Sequence, residues 1–228
     1  MYIIPEEVVE WDIKNWSRAI EFWEKDIPEN LEGKKVLDIG GRNGGLSLFF
    51  ALKGADVVCS DINMDGFKRA KKLHEQYGVS KKISYEVIDV LKMSFQEEFD
   101  IVTFKSVWGG VGSDGHYDRQ ELMAENIYKA LKPEGTLYFA ENMAAGSFHQ
   151  WARKKFIRWG DSWRYISVSE AKKLTEKFDS FEYWCGGFFG CFGRNRVLSL
   201  FFGNIDCVID RFFKPETKYI ISGICKKC

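Results

Sequence analysis

The chain has no excess of charge of either sign: 33 lysines and arginines balance 33 aspartates and glutamates among 228 residues. A surface built for nucleic acid would be basic, so no nucleic-acid partner is expected. No apolar run is long enough to cross a bilayer as a helix. Met1 to Trp11 carry three glutamates and no basic cluster, unlike a signal peptide. Proline is scarce, at positions 5, 28, 133 and 215, and no repeat or Pro/Ser-rich linker divides the chain. These absences predict one domain over residues 1–228, in the cytoplasm. The cysteines at 59, 185, 191, 207, 225 and 228 then read as reduced thiols. Cys225 and Cys228 form a CxxC with no second pair to complement it, so no metal site is expected.

What the chain has in quantity is aromatic mass, with 19 Phe and 8 Trp. That exceeds the needs of a small core and points to a pocket or a partner surface. Apolar residues at Val8, Val9, Ile13, Trp16, Ile20 and Trp23 recur in steps of three and four, so residues 1–30 read as a helical cap. Short apolar runs at 35–39, 56–60, 83–88, 99–104 and 136–140 read as strands. The stretches between them, at 46–53, 65–77 and 122–131, read as helices. Strands separated in this way imply a parallel sheet with right-handed crossovers. Further on come a lid-like segment at 143–165, a helix at 169–177 capped by Ser167 or Ser169, and a strand at 181–185. An insertion at 188–217 follows, with a helix near 197–213, and then a closing strand at 218–225. His74, on the helix after Asp65, reads as solvated.

The chemistry concentrates in Asp38-Ile-Gly-Gly-Arg-Asn-Gly-Gly45, which leaves a strand and opens a helix. Its glycines let backbone approach a ligand, and the helix start offers unpaired N–H groups. Alone, this turn fits many nucleotide ligands. Asp38 precedes the first glycine by two residues. Asp61 ends the next strand, where a carboxylate can take both hydroxyls of a ribose. Asp89 ends the third, placed to accept from an exocyclic amine while Ile88 and Val90 pack on a purine face.

These residues resemble the class I methyltransferases, whose first motif is E/D-x-G-x-G-x-G. Asp38, Gly40 and Gly44 match it, and Arg42 replaces the central glycine. The resemblance implies a Rossmann-like α/β fold: seven strands, mostly parallel, with an antiparallel last strand and helices on both faces. It implies S-adenosylmethionine as cofactor. Gly40, Gly41, Arg42, Asn43 and Gly44 would hold its methionine portion. Asp61 would take the ribose, Ile62 would sit beside the adenine, and Asp89 with Val90 would meet the adenine amino group. Lys105 and Ser106 would lie beneath the sulfonium. A nicotinamide-binding oxidoreductase is the nearest rival, but G-G-R-N-G-G lacks the second glycine of G-x-G-x-x-G.

The acceptor is less legible. Methyl transfer is an in-line displacement, and a hydroxyl acceptor needs a base. His116 and His149 are the candidate catalytic residues, with Asp114, Asp118 and Glu141 as further acids beyond strands four and five. No Asn-Pro-Pro-Tyr follows strand four, which disfavours DNA methylation. The C-terminal arrangement is loosely similar to methyltransferases of glycan and lipid-linked sugar pathways, which implies a small-molecule or glycan/lipid-linked hydroxyl as acceptor. A non-catalytic scaffold that binds the cofactor is the alternative. Trp151 to Trp159 mixes basic and aromatic residues and reads either as a lid helix or, with the insertion, as a peripheral membrane contact.

Overall fold

The computed structural model describes residues 6–156, 162–193 and 195–228, with the backbone alone at 148, 152–154 and 156. In chain order the elements are α1 (Glu6–Val9), α2 (Ile13–Trp23), β1 (Lys35–Ile39), α3 (Gly45–Leu52), β2 (Asp56–Asp61), α4 (Phe67–Gln76), β3 (Ile83–Val87), β4 (Phe99–Lys105), α5 (Trp108–Val111), α6 (Tyr117–Ala130), β5 (Leu131–Asn142), α7 (Ser147–Phe156), α8 (Val168–Leu174), β6 (Ser180–Gly186), α9 (Arg196–Ile209) and β7 (Ile220–Lys226). The strands form a seven-stranded sheet in the order β3-β2-β1-β4-β5-β7-β6. β1 pairs in parallel with β2 and β4, β2 with β3, and β4 with β5. β7 is antiparallel to both β5 and β6, so it alone runs against the rest. This is the Rossmann-like sheet expected from the sequence.

Alternation along the strands splits the core in two. Val36, Val57, Ile101 and Tyr138 face one side, with Trp16, Ile20 and Trp23 of α2 and Phe49 and Phe50 of α3. Leu37, Val58, Val102 and Phe139 face the other, with Met123 and Ile127 of α6 and Leu174 of α8. Chain order reverses between β1 and β4, and the crevice at their carboxyl ends is where such sheets bind ligands.

Three expectations change. The N-terminal cap is two helices: Glu10 and Asp12 take left-handed backbone (φ 66° and 40°), and the chain turns between α1 and α2. Strand β5 is longer than 136–140 because residues from Leu131 onward already pair with β4 across an irregularity. The glycines from Gly109 onward make α5 and a turn onto which Trp163 packs so closely that a Cβ at Gly109 would lie 1.8 Å from its Nε1. His74 is fully buried. Ser167 is the cap of α8, in a capping box with Glu170. Residues 157–161 of the lid-like segment, which include the end of the basic and aromatic stretch at 151–159, lie outside the described residues.

Candidate active site

The site is built around Asp38, at the end of β1. Its buried carboxyl accepts from the Ser47 N–H (2.9 Å) and hydroxyl (2.6 Å), which ties the strand to the first turn of α3. Burial pushes its pKa up to about 7. Between them the chain turns tightly. The Gly41 N–H donates to Ser60 O (2.7 Å) and the Gly44 N–H to Gly41 O (2.6 Å). Gly44 has φ 83°, and a Cβ there would meet His74 Nε2 at 2.5 Å, so only glycine fits.

Arg42 occupies the central position with φ 48°, the left-handed backbone that a glycine there would take without strain. Its N–H donates to Asp61 Oδ2 (3.2 Å), which also orients the acid.

His74 supports this loop from behind. Its Nε2 lies 2.9 Å from Gly44 O and its Nδ1 2.6 Å from Tyr85 Oη. The carbonyl can only accept, so Nε2 carries the proton and Nδ1 accepts from the Tyr85 hydroxyl. Burial lowers the His74 pKa, which keeps the ring neutral.

A cavity of about 510 Å³ opens over the loop. Asp38, Gly40, Gly41, Arg42, Gly45 and Leu46 form its floor. Lys105, Ser106 and Asn142, from the ends of β4 and β5, form one wall, while Val8, Glu10, Trp11 and Trp163 form the cover. Lys105 is held by Val9 O (3.2 Å) and lies 5.0 Å from the Trp16 ring. Burial lowers its pKa. Asn142 Nδ2 donates to Ser106 Oγ (3.0 Å). Behind this wall Glu141 is fully buried, and burial pushes its pKa up to about 7 against the N–H groups of Asn142, Trp108, Gly109 and Val107. The N-terminal cover is fastened to the loop by Asn43 and Glu10 and to α4's end by Tyr77 and Glu7 (3.1 Å).

The structure therefore brings together Asp38, Gly40, Gly41, Arg42 and Lys105. Asn43 and Asp61 line an adjoining groove of about 420 Å³, which Arg42 also borders. Ile62, Asp89 and Val90 line neither space. Ile62 is 66% exposed, Val90 packs into the core, and Asp89 accepts from its own turn at Leu91 (3.0 Å) while pairing with Lys92 (3.1 Å).

Neither candidate catalytic histidine lines the cavity. His116 is a surface residue beside Asp118 (3.4 Å). His149 is buried in an aromatic nest of Phe188, Phe192 and Tyr219, with Cys191 Sγ 3.8 Å from its Nδ1. Sequence reasoning missed Trp163, Asn142, Glu10 and the support from His74. The paired glycines at 109–110 were the one available signal, since they mark a close approach and the incoming group is a Trp.

A glycine-rich turn from β1 into α3, at the carboxyl end of this sheet, with acids ending β1 and β2, is the arrangement of class I methyltransferase domains, whose cofactor is S-adenosylmethionine. Residues 36–135 match the family model described as a methyltransferase domain. A ubiquinone/menaquinone biosynthesis C-methyltransferase of Methylococcus capsulatus is 32% identical over 120 residues, covering 51% of this chain and 46% of that protein. A ubiquinone biosynthesis O-methyltransferase of Idiomarina loihiensis is 31% identical over 158 residues, covering 65% and 62%. The chain thus spans about half the length of the first of these relatives. Among solved structures, phosphoethanolamine N-methyltransferase 2 of Haemonchus contortus, in complex with S-adenosyl-L-methionine, superposes with a TM-score of 0.64 at 14% identity. That match covers 93% of this chain and 52% of the other, and it shows the shared fold.

The residues present suit this cofactor. The cavity lies within the roughly 300–1,000 Å³ usual for small-molecule sites. Asp38 and Glu10 offer acids to an ammonium or sulfonium, the start of α3 offers N–H groups to a carboxylate, and Asp61 borders the adjoining groove where a diol would lie.

Proposed function

We propose that this protein methylates a hydroxyl group of a small organic acceptor, with Lys105 as the base. S-adenosylmethionine, when bound, supplies an electrophilic methyl group; the remaining work falls to the protein. The loop at Gly40–Gly45 and Asp61 hold the cofactor. Trp11 and Trp163 cover the acceptor and exclude water, and Ser106 and Asn142 orient its oxygen. Lys105, in its deprotonated form, takes the hydroxyl proton as the oxygen gains the methyl group.

The observation that carries this reading is Lys105 itself: it lines the cavity, and burial shifts its pKa below the ordinary 10.5, the direction a general base needs. The O-methyltransferase name of the Idiomarina relative supports oxygen as the acceptor atom. His116 and His149 take no part. Nothing among the described residues that line the cavity favours a glycan over another small hydroxyl compound.

The test is release of S-adenosylhomocysteine over a panel of phenols, sugars and amines. Activity should appear with a hydroxyl compound, and kcat should rise with pH through a pKa below the ordinary 10.5 of lysine. Lys105→Met should remove that rise and lower kcat about 10²-fold or more. Turnover of amines alone, or an unchanged profile in the variant, would refute the proposal.

A further inference from the structure

Helix α9 is inside out. Its buried positions are Gly203 and Asp206, followed one turn on by Asp210. Its solvent face instead carries Val197 (76% exposed), Phe201 (57%) and Val208 (59%), and the stripe continues to Phe212 (72%) in the next turn. These steps of four and seven residues lie along one side of a helix. The inward carboxylates explain the inversion. Asp206 accepts from Asn15 Nδ2 and from the N–H groups of Phe189 and Gly190, all at 2.8 Å. Asp210 pairs with Arg18 at 2.7 Å. The insert is thus fixed to α2 through its polar groups; Phe202, Ile205 and Ile209 are half-buried, while Val197, Phe201, Val208 and Phe212 face outward.

Cations edge that outer face at its carboxyl end. With both carboxylates turned inward, α9 and the turn after it expose Arg211 and Lys214, with Glu216 beyond them, while Arg196 at the helix start pairs with Glu6. Arg211 lies 4.8 Å over the Phe212 ring. At 14 residues α9 is too short to cross a bilayer, and among the described residues no helix is long and apolar enough to do so. An apolar stripe edged by cations fits a helix lying in the interface of an anionic membrane.

From this geometry we infer that the outer face of α9 docks the protein on anionic lipid bilayers. A groove of about 380 Å³ opens at the amino end of the same helix and shares Glu10 and Trp11 with the cofactor cavity. Docking therefore places the membrane beside an approach to the site. That consequence rests on the methyl-transfer reading; the docking itself does not.

The test is co-sedimentation of the full chain with phosphatidylcholine vesicles, with and without phosphatidylglycerol, and with circular dichroism to confirm folding. Wild type should bind the phosphatidylglycerol vesicles, and added salt should weaken binding. The exposed double variant Phe201→Ser/Phe212→Ser should lower partitioning more than tenfold. Arg211→Gln/Lys214→Gln should lower it roughly fivefold per charge removed, on anionic vesicles only. Equal partitioning of wild type and the phenylalanine variant would overturn the inference. So would absent vesicle binding together with a wild-type dimer that the variant dissolves, because a second copy would then cover the stripe.

Discussion

Replacing His74 by Phe keeps a planar ring in a filled space and removes both ring nitrogens. Tyr85 then has a hydroxyl with no acceptor in a half-buried setting, at a cost of about 1–2 kcal/mol. Gly44 O loses one donor but keeps the Leu48 N–H at 2.8 Å, so its share is smaller, about 0.5–1 kcal/mol. The expected destabilisation is about 1.5–3 kcal/mol, measured by urea unfolding at neutral pH. Because the two hydrogen bonds share one ring, a cycle with Tyr85→Phe should give a coupling near 1 kcal/mol. Affinity for S-adenosylmethionine should fall too, since Gly44 anchors the end of the cofactor loop. The pH dependence has a fixed sign. The folded-state pKa lies below the ordinary 6.5, so on acidification the unfolded chain takes up the proton first. This contribution is fully present above pH 6.5, declines as pH falls below it, and levels off below the folded-state value. His74→Phe should lack that decline. A variant within about 0.5 kcal/mol of wild type, or a cycle with no coupling, would refute the reasoning.

Asp61→Ala removes the acceptor of the Arg42 N–H and the acid bordering the adjoining groove; calorimetric titration should show S-adenosylmethionine binding roughly 10–100-fold weaker. Arg42→Gly relieves a left-handed backbone at a cost of more freedom in the unfolded chain, so its Tm should rise by about 2 °C, while Arg42→Ala, which keeps the strain, should show no rise. Glu141 has its pKa raised from 4.5 to about 7, so its contribution to stability is full below pH 4.5 and is lost as pH rises to 7. Glu141→Gln stays neutral throughout, and its stability relative to wild type should grow across that window by up to about 3 kcal/mol in urea unfolding.

The parts of the fold legible in the sequence are those fixed by local pattern. Val36, Leu37 and Ile39 read as strand because apolar side chains serve both faces of a parallel sheet, and Gly40 and Gly44 read as a ligand turn because of where they follow it. Asp61 was readable because it ends β2, and the end of a strand in such a sheet faces the crevice. Asp89 obeys the same pattern and yet turns its carboxylate into its own backbone, a choice made by the local turn at Leu91 that strand position does not encode. The histidines misled for a related reason. A loop after β4 sits on the ligand side, but side-chain direction within it is set by partners distant in sequence. Trp163 covers the cavity only because Gly109 and Gly110 let it approach, and His149 turns away because Phe188, Phe192 and Tyr219 enclose it.

The same logic explains why the fastening of the cover over the cavity was not legible. Asn15 reaches Asp206 and Tyr219, separations of 191 and 204 residues, and burial pushes Asp12 beside it up to about 8. Asp12 is therefore largely protonated at neutral pH, which lets a second carboxyl sit next to Asp206 without full repulsion. Glu10 and Trp11, which cover the cavity, lie just before this network, and Asn195 and Arg196 of the insertion lie on its far side. The cap and the insertion are thus one cover made from the two ends of the chain. A change in the insertion that frees Asp206, such as loss of the Phe189 and Gly190 N–H partners, acts on the cover of the site although it lies outside the matched methyltransferase segment.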